Sequence, residues 1–157
     1  MSKDKHIAWI KSLLLAFVFV SIGFSFGRHS VKQTAVTTPQ SAGQNIVQVY
    51  YLHSTFRCNT CNTIEKMTKA LLDKQYKNEL SSGVIVFREV DFQREEALAK
   101  QFGVIASCVV VAAVKDGKTI DFQRLDEVWT LMKDPAAFDK YINDAIAAMQ
   151  KKAGGVK

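Results

Sequence analysis

From residue 46 onward, short apolar segments alternate with stretches of helical periodicity, in an order that few folds accommodate. Residues 46–52 form an apolar run rich in β-branched and aromatic side chains, the composition of a strand. Ile64, Met67, Leu71 and Leu72 then recur at helical spacing, and this helix is predicted to continue to about Leu80, where Ser81, Ser82 and Gly83 stop it. Residues 84–92 begin as a continuous apolar run, the pattern of a strand covered on both faces in a parallel sheet. A short helix fits residues 94–102 and ends at Gly103. Residues 108–114 and 119–125 flank Asp116 and Gly117, a pair that favours a tight hairpin, so these two strands are predicted to be antiparallel. The final helix has Asp134 as its N-cap and Pro135 at its first position, with Phe138, Tyr141, Ile142, Ala145, Ile146 and Met149 on one core-facing side. The order β-α-β-α-β-β-α implies an α/β domain with a mixed sheet of about four strands and helices on both faces.

At the junction of the first strand and first helix stand Cys58, Asn59, Thr60 and Cys61. Two cysteines three positions apart at a helix start bring their sulfurs within disulfide reach, and the helix N-terminus favours a thiolate on the first. Cys58 is therefore the expected exposed nucleophile, with Arg57 beside it, and Cys61 the more buried resolving thiol. A zinc knuckle would need a second pair of ligands, and no spacing in the chain supplies one. No Gly-rich phosphate loop, Ser-His-Asp order or flavin fingerprint is present.

The N-terminal part reads differently. Residues 12–27 carry no charge, and as a helix these positions span roughly 24 Å. Adding residues 7–10, with Trp9 suited to the interface and Lys11 able to snorkel, extends the run to a membrane span. Lys3, Lys5 and Lys11 precede or border it, so the expected topology is single-pass in the inner (cytoplasmic) membrane, with the N-terminus cytoplasmic and the domain periplasmic or extracellular. A cleaved signal peptide ending near Ser25, Phe26 and Gly27 is the competing reading, and it exports the domain equally. Residues 28–44 lack apolar periodicity and read as a flexible tether of about 20–25 Å. The expected organisation is thus an anchor over residues 1–27, a linker over 28–44, a folded domain over 45–152 and a disordered tail over 153–157.

Export places the cysteine pair where disulfides persist, and its two-residue spacing points to a working redox pair. The net charge of +6 resides mainly in the leader: residues 1–32 hold five of the 21 Lys and Arg against one acid, Asp4, whereas from Gln44 onward there are sixteen basic and fourteen acidic residues. A nearly neutral domain gives no reason to expect a nucleic-acid partner.

The element order, with the dithiol between first strand and first helix, resembles the thioredoxin fold in its smaller form over residues 45 to about 150. A finer resemblance, carried by residues 50–65 with Phe102, Gly103, Val104, Lys115, Asp116 and Gly117, is to the membrane-anchored thioredoxin-like proteins of the ArsF type, known as nitrophenyl-compound nitroreductase subunits and associated with arsenic-resistance operons. The thioredoxin resemblance implies a thiol:disulfide oxidoreductase whose redox group is the Cys58–Cys61 disulfide, with no organic cofactor and no metal. Its partners would be a protein thiol or disulfide or a membrane redox protein. A nitroreductase needs a flavin or an iron centre, so membership of such a system implies an electron-delivering subunit.

The chain departs from thioredoxins in two places. Its two prolines, Pro39 and Pro135, lie far from the segment around Ser107 and Cys108 that corresponds to the cis-proline loop. If Cys108 faced the pair, Cys58, Cys61 and Cys108 would form a soft-ion site for arsenite or Cu(I), making the chain a binding module for a partner transporter or reductase. The alternative is that Cys108 is a small buried hydrophobe. Thioredoxins also keep an acid beneath the cysteines, where this first strand offers Tyr50 and Tyr51. Glu65, one turn after Cys61, and His53, at the strand end, are the candidate substitutes for proton transfer. Their alternatives are an exposed helix residue and an ordinary loop histidine. Phe56 is expected to shield the disulfide or to contact partners, Trp129 and Tyr141 to be core aromatics, and the Lys and Glu of residues 65–79 to form a solvated face.

Overall fold

The computed structural model describes residues 45–154. The predicted anchor, most of the linker and residues 155–157 lie outside the described residues, among which no helix is long and apolar enough to cross a membrane.

The chain forms β1 (Ile46–His53), α1 (Asn59–Gln75), α2 (Lys77–Ser82), β2 (Ile85–Asp91), α3 (Glu96–Phe102), β3 (Cys108–Lys115), β4 (Lys118–Leu125), a short α4 (Val128–Leu131) and α5 (Pro135–Ala153). The four strands make one sheet in the order β2-β1-β3-β4. β1 pairs parallel to β2 and antiparallel to β3, and β3 pairs antiparallel to β4. This is a thioredoxin-like α/β arrangement, as the element order predicts.

Central position in the sheet decides burial. β1 and β3 are apolar along nearly their whole length and are buried on both faces. β2, predicted to be covered on both faces, is instead an edge strand, with only Ile85 and Val90 fully buried and Glu89 exposed. Its parallel pairing with β1 accounts for the continuous apolar start; its edge position admits Arg88 and Glu89.

The pleat divides the side chains of β1 and β3 between two cores. Val47, Val49 and Tyr51, with Val109, Val111 and Ala113, meet α1 and α5 through Ile64, Leu71, Leu72, Phe138, Ile142 and Ile146. Tyr50 and Leu52, with Cys108, Val110 and Ala112, meet α3 and its flanks through Phe102 and Val104.

Local signals end the elements. The β3–β4 turn places both Asp116 (φ 51°) and Gly117 (φ 75°) in the left-handed region, the conformation a tight two-residue hairpin requires. Asp134 caps α5, its carboxylate accepting from the Ala136 and Ala137 N–H groups at 3.1 Å. α5 runs through Ala153, which is wholly buried, and Gly154 closes the helix. The predicted helix through Leu80 is broken at Tyr76, which leaves helical geometry (φ −125°, ψ 24°) and donates its hydroxyl to Asn143 Oδ1 at 2.9 Å.

Candidate functional site

Cys58 occupies the N-cap of α1 in extended geometry (φ −87°, ψ 167°). A helix start leaves backbone N–H groups without partners, a need that Ser, Asp or Asn usually meets. Here a sulfur meets it: Cys58 Sγ accepts from the Cys61 N–H at 3.2 Å. The Cys58 thiol is held below the ordinary value of 9.0, first by a hydrogen bond with the Cys61 side chain and then by the Cys61 N–H. Burial opposes this, and the Thr60 and Cys58 N–H groups add to the lowering. Cys58 is partly exposed, whereas Cys61, one turn into the helix, is buried. The pair therefore divides into an accessible sulfur biased toward thiolate and a sheltered sulfur behind it.

This asymmetry sets a measurable pH dependence. Alkylation of Cys58 in the reduced chain is expected to reach half its maximal rate below pH 9.0; a midpoint at or above that value would refute the capping account. The folded-state value lies below the unfolded one. Ionisation of Cys58 therefore stabilises the reduced fold in full above the unfolded thiol's titration, and that contribution is lost as pH falls through the folded-state value.

Beneath the pair, Tyr51 donates its hydroxyl to the Cys61 carbonyl at 2.6 Å. Burial, with the nearby Cys61 thiol adding to it, pushes the Tyr51 hydroxyl well above its ordinary 10.0. Tyr51 thus stays neutral and anchors the helix start. Thr55 ties the loop to the end of β2, its hydroxyl donating to Asp91 Oδ2 at 2.7 Å and its N–H to Gln93 Oε1 at 2.9 Å.

Glu65 is sequestered by cations. Its Oε2 pairs with Arg57 and its Oε1 accepts from Lys69 Nζ at 2.8 Å. Arg57 also reaches Glu89 at 3.4 Å, and Lys69 pairs with the same carboxylate. Glu89 feels burial that would raise its pKa, outweighed by the hydrogen bonds and charges of Lys69 and Arg57, and is held below the usual carboxylate range. With a side chain only 13 % exposed and both oxygens engaged, Glu65 joins the Cys58 loop, α1 and β2 into one ionic cluster, while Lys66, Lys74 and Lys77 stay on the solvated face expected there. His53 ends β1 with Nδ1 2.9 Å from the Ser54 carbonyl and its ring 5.9 Å from that of Tyr51. It hydrogen-bonds neither sulfur.

Of the two readings of Cys108, the structure has the small buried hydrophobe and not the third sulfur beside the pair. Its side chain lies in the core on the α3 face, with Tyr50, Leu52 and Phe102, whereas Tyr51 and α1 occupy the other face. Burial, reinforced by Asp126 and opposed by Arg124, pushes its thiol up to about 12. Cys58, Cys61 and Cys108 do not converge, and no group of three His, Cys, Asp or Glu side chains able to hold a metal occurs among the described residues.

The residue that does face the pair is Ser107. Its Oγ lies 3.9 Å from Cys61 Sγ, and it is 5 % exposed. Trp129, expected in the core, is instead 37 % exposed and donates its indole N–H to the Ser107 carbonyl at 2.7 Å. Tyr141 does pack against the core as a partly buried aromatic. Strand alternation carried the missed signal: Ser107 has the parity of Val109, which faces α1 and α5, so the neighbouring Cys108 must face away. Phe56 and Ile105, two residues before Cys58 and Ser107, are 85 % and 93 % exposed. At that exposure the Phe56 ring stands largely in solvent.

No family model and no curated protein matches the chain. Solved structures resembling it include thioredoxin of Fasciola hepatica, at 20 % identity and a TM-score of 0.44 over 68 % of this chain and 83 % of that one. Mitochondrial thioredoxin 3 of Saccharomyces cerevisiae has 22 % identity and a TM-score of 0.41 over 66 % and 82 % of the respective chains. Thioredoxin f2 of Chlamydomonas reinhardtii has 12 % identity and a TM-score of 0.42 over 73 % and 84 %. By its own strand order and the placement of its dithiol at the β1–α1 junction, the described domain has a thioredoxin-like fold.

Proposed function

We propose that the chain is a membrane-tethered thiol:disulfide oxidoreductase working on the extracytoplasmic side. The observation that carries this reading is the Cys58 sulfur capping α1, with Cys61 buried directly behind it. In the reducing direction, the Cys58 thiolate attacks one sulfur of a partner disulfide, forming a mixed disulfide and releasing the partner's other sulfur as a thiolate that takes up a proton. Cys61 then loses its proton and attacks Cys58 Sγ. The Cys58–Cys61 disulfide forms, the second partner thiol departs, and two electrons have passed to the partner. The oxidising direction is the reverse. The exchange requires no organic cofactor or metal.

The uncharged run of residues 12–27 behind Lys3, Lys5 and Lys11 supports the tether, and export supports a pair that cycles where disulfides persist. Resemblance to the ArsF type supports a role as an electron-delivering subunit for a membrane redox partner. The soft-ion binding module loses its third sulfur, because Cys108 lies in the opposite core.

Cys61→Ser tests the proposal. Cells carrying this variant should accumulate covalent adducts through Cys58 that dithiothreitol releases. A variant that captures nothing, together with a wild-type pair that does not cycle with a dithiol, would overturn it.

A further inference from the structure

Resolution of the mixed disulfide demands a negative charge on Cys61, whose residue is only 5 % exposed. A thiolate there has little water to solvate it and needs a hydrogen-bond donor from the protein. The neighbouring groups are largely committed. The Cys61 N–H donates to Cys58 and the Tyr51 hydroxyl to the Cys61 carbonyl. Arg57 and Lys69 are held by Glu65 and Glu89. Apart from Cys58, whose sulfur is tied up in the mixed disulfide, the Ser107 hydroxyl alone among the side chains of the described residues hydrogen-bonds the Cys61 sulfur, at 3.9 Å.

We infer that Ser107 is a catalytic residue of the resolving step, its hydroxyl donating to Cys61 Sγ as that sulfur becomes a thiolate, with Trp129 holding it in place through the Ser107 carbonyl. This deepens the oxidoreductase reading and rests on it. The contact is long in the resting state, as expected of a hydrogen bond that shortens when charge develops on the acceptor. Ser107 Oγ comes from the loop before β3, whereas Cys58 and its capping N–H come from the start of α1. One sulfur of the pair is therefore served by the helix start and the other by the loop before β3. Trp129 acts as a positioning residue, because its indole touches the loop backbone and no sulfur.

The test uses the full-length reduced chain and 5,5′-dithiobis(2-nitrobenzoate), a symmetric aromatic disulfide. Cys58 attacks it and releases a first equivalent of coloured thiol; Cys61 then attacks the mixed disulfide and releases a second. In Ser107→Ala the first phase should be unchanged, while the second slows about five- to tenfold. The pH midpoint of the second phase should rise. The titratable and charged groups around Cys61, namely Cys58, Tyr51, Arg57 and Glu65, are the same in both proteins, so that rise reports on the hydroxyl. Ser107→Thr, which keeps the hydroxyl, should restore most of the rate, and Trp129→Phe should slow the second phase with the hydroxyl present. An unaltered second phase in Ser107→Ala, in rate and pH midpoint, would overturn the inference and leave the oxidoreductase reading standing. Absence of a second phase in the wild type would overturn both. A slowed first phase shared by Ser107→Ala and Ser107→Thr would mark a disturbed loop and also overturn the assignment.

Discussion

Cys58→Ser should leave a folded chain with no thiol–disulfide exchange beyond that of an ordinary solution thiol, a loss of at least about a thousandfold. The two halves of this expectation come from one geometric fact. Cys58 Sγ is both the accessible sulfur and the acceptor for the Cys61 N–H. Serine is a strong N-cap and its hydroxyl can take over that hydrogen bond, so stability should change by no more than about 0.5 kcal/mol. The chemistry cannot be taken over, because an alkoxide is inaccessible at neutral pH and an oxygen cannot complete the disulfide. Measured together, thermal unfolding and reduction of a disulfide substrate separate the roles. Retained exchange in the folded variant would place the reactive sulfur elsewhere.

Phe138→Ala should have the largest effect on stability. Phe138 is wholly buried at the start of α5, in the core shared with α1 and the inner faces of β1 and β3. Truncation removes the ring's transfer free energy and leaves a cavity that close-packed neighbours fill only in part, at a cost of about 3–5 kcal/mol. Against a typical total of about 5–15 kcal/mol, this is a large fraction, corresponding to a fall in Tm of about 12–25 °C. Phe56→Ala is the matched control: the same truncation at a ring 85 % exposed should cost less than about 0.5 kcal/mol. Equal losses at the two positions would contradict the assignment of the core to the α1–α5 side of the sheet.

Features encoded within a few residues are legible in the amino-acid sequence alone. The dithiol at a strand-to-helix junction, the Asp116–Gly117 turn and the Asp134 cap each announce themselves locally, and each lies where its signal puts it. Features decided by distant partners are not. The apolar start of β2 reads like that of a central strand, and only the sheet order makes β2 an edge. Trp129 has the composition of a core residue, yet its N–H partner is the carbonyl of Ser107. The break at Tyr76 accompanies a hydroxyl contact with Asn143 on α5. At the site, the cysteines are readable from spacing, but the Ser107 contact depends on strand parity, where an offset of one residue exchanges the two faces of a sheet. Glu65 is readable as a neighbour of Cys61, whereas its capture by Arg57 and Lys69 requires Glu89 of β2 to be alongside.

The position of Cys108 bears on how the chain matures. Three cysteines permit three single-disulfide pairings, and the folded domain accepts one of them, because β1 and β3 form a wall between Cys108 and the other two. Once the sheet has formed, with Cys108 opposite Leu52, oxidising equivalents passing through Cys58 have no route to the third sulfur. Until then, all three thiols are open to the same oxidants. Errors of pairing are thus confined to the interval between synthesis and closure of the sheet, and the yield of working protein becomes a race between folding and oxidation.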